Sequence, residues 1–349
     1  MTKESRHPNP GEGQREYPPG SGVQEYIVPC PDRRIYGFDA SRYFREISVA
    51  VALGLLLIAL LVFAPAFFSP QPLLSRLTRE APSLVVACGV ALVIICRQID
   101  ISVGSQFSVC SVCAGLLAAA GWSIPLVLVG SIFIGAILGA FNGLLITGLR
   151  LPSIVVTLAT MVILRESLRW ARQGQFVNLP DRFQWFGLSQ RFGQITLITI
   201  ALLLVIILVL LLRYVAAGRF VYAVGSDAEA ARLAGIHPQL VTFLVFVFTG
   251  ALVGLASLMN IVQSPQVDPN SGSGLELKTI AAAVVGGVAV SGGRGNLIGV
   301  FLGLLLLGCI SPALIYLHIE AYWEKAIQGA IILLAVVADG LRTRRESSQ

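Results

Sequence analysis

The sequence predicts an all-α polytopic membrane protein of about ten transmembrane helices, and three observations carry that prediction. Hydrophobic residues make up 55% of the 349 residues and charged ones only 13%, roughly half the charged share of an ordinary soluble chain. Runs such as residues 47–68, 195–212 and 241–262 are long enough, or nearly so, to cross a hydrocarbon layer of about 30 Å as helix. These runs hold Leu, Ile, Val, Ala and Gly without alternating polar positions. Helices satisfy their own backbone in lipid, whereas a membrane β-barrel needs the alternation that is missing here.

The elements follow in chain order. Residues 1–46 form a polar tail rich in Pro and Gly, a composition that builds no core and predicts disorder. The tail lacks the short basic-then-apolar layout of a cleaved signal peptide, so the first apolar run reads as a retained anchor. Ten spans are expected near 47–68, 82–97, 103–121, 125–147, 151–166, 195–213, 239–262, 277–292, 296–315 and 322–339, which makes 47–340 one membrane domain and 341–349 a short tail. Spans two, five and eight are short, and in transporters such spans tend to line the path. An even number of spans puts both termini on one side. With the termini inside, sixteen of the 25 basic residues fall inside, so both termini are expected in the cytoplasm.

Two connections are long. Residues 167–194 mix Trp170, Phe176, Phe183, Trp185 and Phe186 with Arg169, Arg172, Arg182 and Arg191, which suits a segment lying at the membrane surface, with a docking face as the other reading. The second, 214–238, contains the most informative stretch of the chain. Ser226 followed by Glu229 is a capping-box pattern, with Gly225 allowing a sharp turn before it. Asp227 and Glu229 fall in a first turn, Arg232 near the end, and Gly235 supplies the stop. The pattern predicts a short helix with small residues at Ala228, Ala230, Ala231 and Ala234. A helix this short is marginal alone, so it either packs on the membrane domain or docks into a cytoplasmic partner.

Glycines recur every four residues at Gly135, Gly139 and Gly143 in span four and at Gly295, Gly299 and Gly303 in span nine. Each series clears one helix face for another backbone. Their places in two sets of five spans suggest an inverted repeat of five plus five, a common plan for alternating access. Asp100 lies between spans two and three, with Arg97 as the expected charge partner and Ser102 and Ser105 as expected caps of the next helix. A structural bend and contact with a transported molecule are both open readings of Asp100. Residues 263–274 offer hydroxyl, amide and carboxylate groups that can exchange hydrogen bonds with a neutral polyol, although turns use the same residues. Asn142 and Thr157 are similar candidates within apolar spans.

Other features exclude functions. The net charge of +6 is scattered between apolar runs rather than gathered in a patch, which argues against nucleic acid. Five of the six cysteines sit in or beside apolar segments and read as small buried hydrophobes, and the Cys110/Cys113 pair has no second ligand pair for zinc. His7, His237 and His318 are scattered, so neither a metal nor another cofactor is implied. The three lysines, Lys3, Lys278 and Lys325, follow no Gly-rich phosphate-cradling run, so ATP hydrolysis would need a separate subunit. The spans also lack a row of acidic residues, which disfavours a proton- or sodium-coupled carrier.

Four stretches in order carry a family resemblance: IDISVGS at 99–105; GAFNG at 139–143 with LPSIVVTL at 151–158; YAVGSDAEAARLAGI at 222–236; and GGVAVSGGRG at 286–295. Together they resemble the permease subunits of bacterial monosaccharide importers of the ATP-binding-cassette class, the group that includes ribose, xylose, galactose, rhamnose and autoinducer-2 permeases. The resemblance implies a multi-pass inner-membrane subunit that is not itself an enzyme. It pairs with an identical or homologous permease, a cytoplasmic ATPase and a periplasmic sugar-binding protein. Gly225, Ser226, Asp227, Glu229, Ala230, Ala231, Arg232 and Gly235 would form the coupling helix to the ATPase. Asp100, Ser102, Gly104, Asn142, Thr157, Gly286 and Gly287 would lie near the translocation path or the dimer axis. Two features depart from the family: Glu166 follows Arg165 where glycine is usual nearby, and the amino-terminal tail is long. Trp170 and QWFG at 184–187 resemble the rhamnose-type branch. A secondary sugar carrier is the alternative function, and a structural or receptor-like membrane protein a third.

Overall fold

The structure, a computed structural model, describes residues 44–316 and scattered residues between 320 and 337. Nearly all of the tail at 1–46, all of the tail at 341–349 and most of the tenth expected span lie outside the described residues. What is described is a helical bundle of α1 (Phe44–Phe63), α2 (Pro70–Ile95), α3 (Val103–Ala119), α4 (Ile124–Gly148), α5 (Ser153–Arg172), α6 (Gln190–Tyr214), α7 (Ala216–Ser226), α8 (Ala228–Leu233), α9 (Pro238–Ile261), α10 (Leu275–Val285) and α11 (Leu297–Tyr316). The only strands among the described residues are β1 (Val177–Asn178) and β2 (Gln266–Val267). Helices α2, α4, α6, α9 and α11 are long and apolar enough to cross a membrane, and α1 and α3 carry shorter apolar stretches.

Helix α2 is the axis of the bundle. Every residue from Ala81 to Cys96 is buried, because the sequence there is small and apolar on all faces rather than on one stripe. It begins well before the expected start at residue 82, since Pro82 lies inside it. A proline has no N–H for the carbonyl four residues back. The Thr78 carbonyl instead accepts from the Gln263 side-chain amide at 3.2 Å.

Helix α4 shows why glycine spacing matters. Its outer face exposes Leu126, Val129, Phe133, Ile137 and Phe141, while Gly135 and Gly139 are buried. A Cβ on Gly135 would collide with the Gly250 carbonyl, and one on Gly139 with that of Phe246. The Ser131 hydroxyl reinforces the seam by donating to the Gly254 carbonyl at 2.8 Å. In α11 the matching glycines serve a different neighbour: Gly299 abuts Gly286, and Gly303 abuts the Ala282 carbonyl, both at α10. The two series therefore back onto different neighbours, span seven for the first and span eight for the second.

Three expectations about the elements change or gain detail. Span eight is an 11-residue helix, α10, followed by a glycine-rich loop rather than a complete crossing. The segment 167–194 is structured along its length: α5 runs to Arg172, β1 pairs with β2 through Val177↔Val267 and Asn178↔Gln266, and Phe183 is fully buried. Phe183 finds protein to bury against, whereas Trp170 and Phe176 stay exposed. Finally, 214–238 holds two helices, α7 and α8.

Candidate coupling and pathway site

The joint between α7 and α8 is built by Asp227. Its carboxylate Oδ1 accepts from the Glu229 and Ala230 backbone N–H groups at 2.9 and 3.0 Å, as an N-cap does. The predicted cap, Ser226, is the last residue of α7 instead. The stop is where the sequence placed it: Gly235 has φ +83°, and its N–H and that of Ile236 donate to the Arg232 and Ala231 carbonyls. Glu229 and Arg232 pair across one turn and are both exposed. Ala231 is buried, whereas Ala228, Ala230 and Ala234 are exposed and Leu233 is 80% exposed. Leu233, absent from the residues the sequence pattern singles out, is the one bulky apolar side chain exposed on α8.

Gly225 does not make a turn. It lies in α7, and a Cβ there would strike the Ile95 carbonyl at the end of α2. That carbonyl is itself the acceptor of the Gly293 N–H at 2.8 Å. Gly292 and Gly293, at φ +83° and +71°, press against Arg97 and Ser226 so closely that a Cβ on either would lie 2.7 Å from a neighbouring atom. The Tyr222 hydroxyl donates to the Gly295 carbonyl at 2.8 Å. Burial pushes the Tyr222 phenol above its usual range, so it remains a donor at ordinary pH. Three separate segments, at 95–97, 222–226 and 286–295, thus meet through main-chain contacts and the Tyr222 hydroxyl.

Directly beyond Arg97 the chain enters a buried polar network. Asp100, 1% exposed, accepts through Oδ1 from the Ser102 N–H at 2.9 Å and the Ser102 hydroxyl at 2.6 Å. Gln106 and Asn142 donate to the Ser102 hydroxyl at 2.7 and 2.8 Å, and Thr160 donates to the Asn142 carbonyl oxygen at 2.8 Å. Thr157 donates to the Ser153 carbonyl, and Ser153 accepts from the Ile99 N–H. The expected Arg97–Asp100 pair does not form. Hydroxyl and amide donors meet the carboxylate, while Arg97 takes a left-handed φ of +61° at the end of α2 and is exposed. Ser102 and Ser105 do not cap α3 with their side chains either, since the Ser102 hydroxyl serves Asp100 and that of Ser105 donates to the Met161 carbonyl.

The remaining pathway candidates separate. Gly286 closes the α10–α11 seam, and Gly287 turns the following loop at φ +93°. Gly104 faces the other end of the bundle, where a Cβ would displace the Glu276 carboxylate and the Gly272 carbonyl. There Glu276, in the first turn of α10, pairs with Arg165 of α5 at 3.0 Å, and Lys278 pairs with Glu80 of α2 at 2.7 Å. These two pairs escaped sequence reading because the partners lie 111 and 198 residues apart. Glu166, the departure from the family pattern, simply pairs with Arg169 one turn on.

The apolar helices and their glycine-cleared seams define a polytopic membrane bundle. A family model described as branched-chain amino acid transport system / permease component matches residues 73–336, and the chain belongs to that family. Its relatives include the autoinducer 2 import system permease protein LsrC of Enterobacter sp. (strain 638), 36% identical over 85% of this chain and 87% of that protein. The proteins of the same name from Escherichia coli O9:H4 and Klebsiella pneumoniae are 33% and 35% identical over the same share of this chain, covering 87% and 86% of theirs. No solved structure matches the chain.

Proposed function

We propose that this chain is the membrane-spanning permease subunit of an ATP-binding-cassette importer in a bacterial inner membrane, with both termini cytoplasmic. It passes a small neutral cargo inward, with autoinducer 2 the first to test and a monosaccharide such as rhamnose the second. The observation that carries the reading is the α7–α8 joint: an exposed helix, tied by backbone contacts to the end of α2 and to the α10–α11 loop. The names of the relatives supply the import role and the cargo class.

In this mechanism a cytoplasmic ATPase grips Leu233 and the exposed alanines. Its nucleotide-driven closure displaces α8, and Gly225 has no side chain to absorb the motion. The push therefore reaches Ile95 and Gly292–Gly293, which hold the ends of α2 and of the α10 loop. A second permease, identical or homologous, completes the path, and a periplasmic binding protein delivers the cargo. This subunit forms no covalent intermediate; hydrolysis takes place on the partner.

The test uses the complex assembled with its ATPase. Glu229→Ala together with Arg232→Ala is expected to abolish cargo-stimulated ATP hydrolysis while the permease stays inserted. Unchanged stimulation and uptake would remove the coupling role, and uptake that persists without any ATPase would point to a secondary carrier.

A further inference from the structure

Between α2, α6 and α11 lies an apolar groove of about 160 Å³, walled by Leu77 and Leu84, by Ile198 and Leu202, and by Phe301 and Leu305. All three helices are long and apolar enough to cross a membrane. Leu77 and Leu202 are 38% and 40% exposed, so the groove opens outward, to the side where lipid lies. We infer that it seats one acyl chain of a phospholipid with an anionic headgroup, whose phosphate is held by Arg191. The inference concerns the membrane and not the cargo, and it holds whether or not an ATPase drives this chain.

Size and lining select a hydrocarbon chain. A cavity of about 150 Å³ lined by Leu, Ile and Phe stays dry and takes a benzene-sized guest, so this groove has room for about six carbons of a chain. The rest of the chain lies along the open side. Glu80 is the one charged residue in the wall. Its carboxylate is engaged by Lys278 at 2.7 Å, so the groove presents no unpaired charge to a polar guest.

Charge selects the headgroup. Arg191 lies seven residues before Ile198, two turns along the same face of α6 and about 10 Å nearer the start of the helix. It is exposed and makes no ion pair among the described residues. Because α6 begins at Gln190, the helix dipole adds positive potential at the same point. On α2, Arg79 is likewise exposed and unpaired, while Arg76 donates to the Phe67 carbonyl and stacks on the Phe67 and Tyr316 rings. Against these three arginines stand Glu80, which Lys278 neutralises, and Asp181, which Arg182 offsets just ahead of α6. This end of the two helices is therefore net positive, and the guanidinium fork matches phosphate oxygens.

A chain in the groove covers the stem of Glu80 and keeps water from its pair with Lys278, whose side chains are 19% and 22% exposed. An ion pair strengthens as water is excluded, so the lipid tightens the link between α2 and α10.

The experiment titrates the delipidated full-length protein in detergent with dioleoyl phosphatidylglycerol and, separately, with dioleoyl phosphatidylethanolamine. Native mass spectrometry reads bound lipid, and thermal unfolding reads stability. Phosphatidylglycerol is expected to be retained in preference to phosphatidylethanolamine and to raise the melting temperature as its concentration rises. Arg191→Gln should weaken phosphatidylglycerol about tenfold, the loss of one charge-assisted contact, without changing the lipid-free melting temperature. Leu202→Trp, which plugs the groove from its exposed side, should abolish the retained lipid. Retention within twofold of the parent in Leu202→Trp would overturn the acyl seat. Equal affinity for the two lipids in the parent, or no effect of Arg191→Gln, would overturn the anionic headgroup and its hold by Arg191. A Leu202→Trp variant that keeps its lipid and loses self-association would make the groove a contact between protein chains instead.

Discussion

The two ends of the bundle are held by different forces. At the α8 end, the α2 terminus, the last turn of α7 and the 286–295 loop meet mainly through main-chain atoms, with Gly225, Gly292 and Gly293 at the closest approaches and the Tyr222 hydroxyl bonding across them. Toward the ribbon end, about 22 Å away from Ile95 to Glu80 along α2 at 1.5 Å per residue, side-chain charges hold α10 to α5 and α2. A backbone contact has no slack, because main-chain atoms cannot change rotamer. A side-chain pair can lengthen, break and re-form. The stiff end is the one suited to receiving a push, and the adjustable end the one suited to opening around a cargo.

The largest effect is expected where slack is smallest. Gly225→Ala puts a methyl group into the Ile95 carbonyl, and overpacking against backbone costs about 3 kcal/mol or more. Thermal unfolding of the purified protein should fall by roughly 5 °C or more, and uptake should be lost. A variant with parental melting temperature and uptake would show that α7 and α2 slide freely, and the stiff-end argument would fail.

At the ribbon end Arg165→Ala should cost less, about 2 kcal/mol. The full penalty for stranding one partner of a buried pair is about 3–5 kcal/mol, but the Arg165 side chain is 26% exposed while that of Glu276 is only 8% exposed. Arg165→Leu with Glu276→Leu should recover most of the loss, since replacing both charges removes the stranded carboxylate. A double-mutant cycle on thermal stability measures the difference. If the single and double variants both melt like the parent, the pair contributes nothing and α10 is held by its glycine seam and the Lys278–Glu80 pair.

How far each end was legible in the sequence follows from the same contrast. The glycine motifs stood out as local patterns, so the positions at the stiff end were found. Their reason is not local: a glycine before a cap suggests a turn at Gly225, whereas the carbonyl of Ile95 is what requires it. The cap itself moved by one residue, from Ser226 to Asp227, because both side chains have capping chemistry and only the backbone decides between them. Asp100 stands out in the sequence as an isolated carboxylate, but the donors that reach it are Ser102 and Gln106 rather than the nearest charge along the chain, Arg97. Arg165–Glu276 and Glu80–Lys278 left no local pattern at all. Spans one to nine each find a helix near the expected place, because a long apolar run can satisfy its backbone in lipid only as helix.

The smallest effect on stability is expected at Leu233, and that makes it the sharpest probe of what α8 does. The residue is 80% exposed, and surface substitutions away from caps and cores stay within about 0.5 kcal/mol, so Leu233→Ser should leave thermal unfolding of the isolated permease unchanged. If α8 serves only to close the membrane domain, nothing else changes. If it is the seat of a partner, removing its one large apolar side chain should weaken binding of the ATPase by about tenfold, the loss expected from about 1.5 kcal/mol of buried leucine. Co-purification and ATPase titration on the variant read the two outcomes directly. Binding unchanged within twofold would mean that the exposed face of α8 is not where the force enters, and the stiff backbone joint behind it would then need another origin for the push.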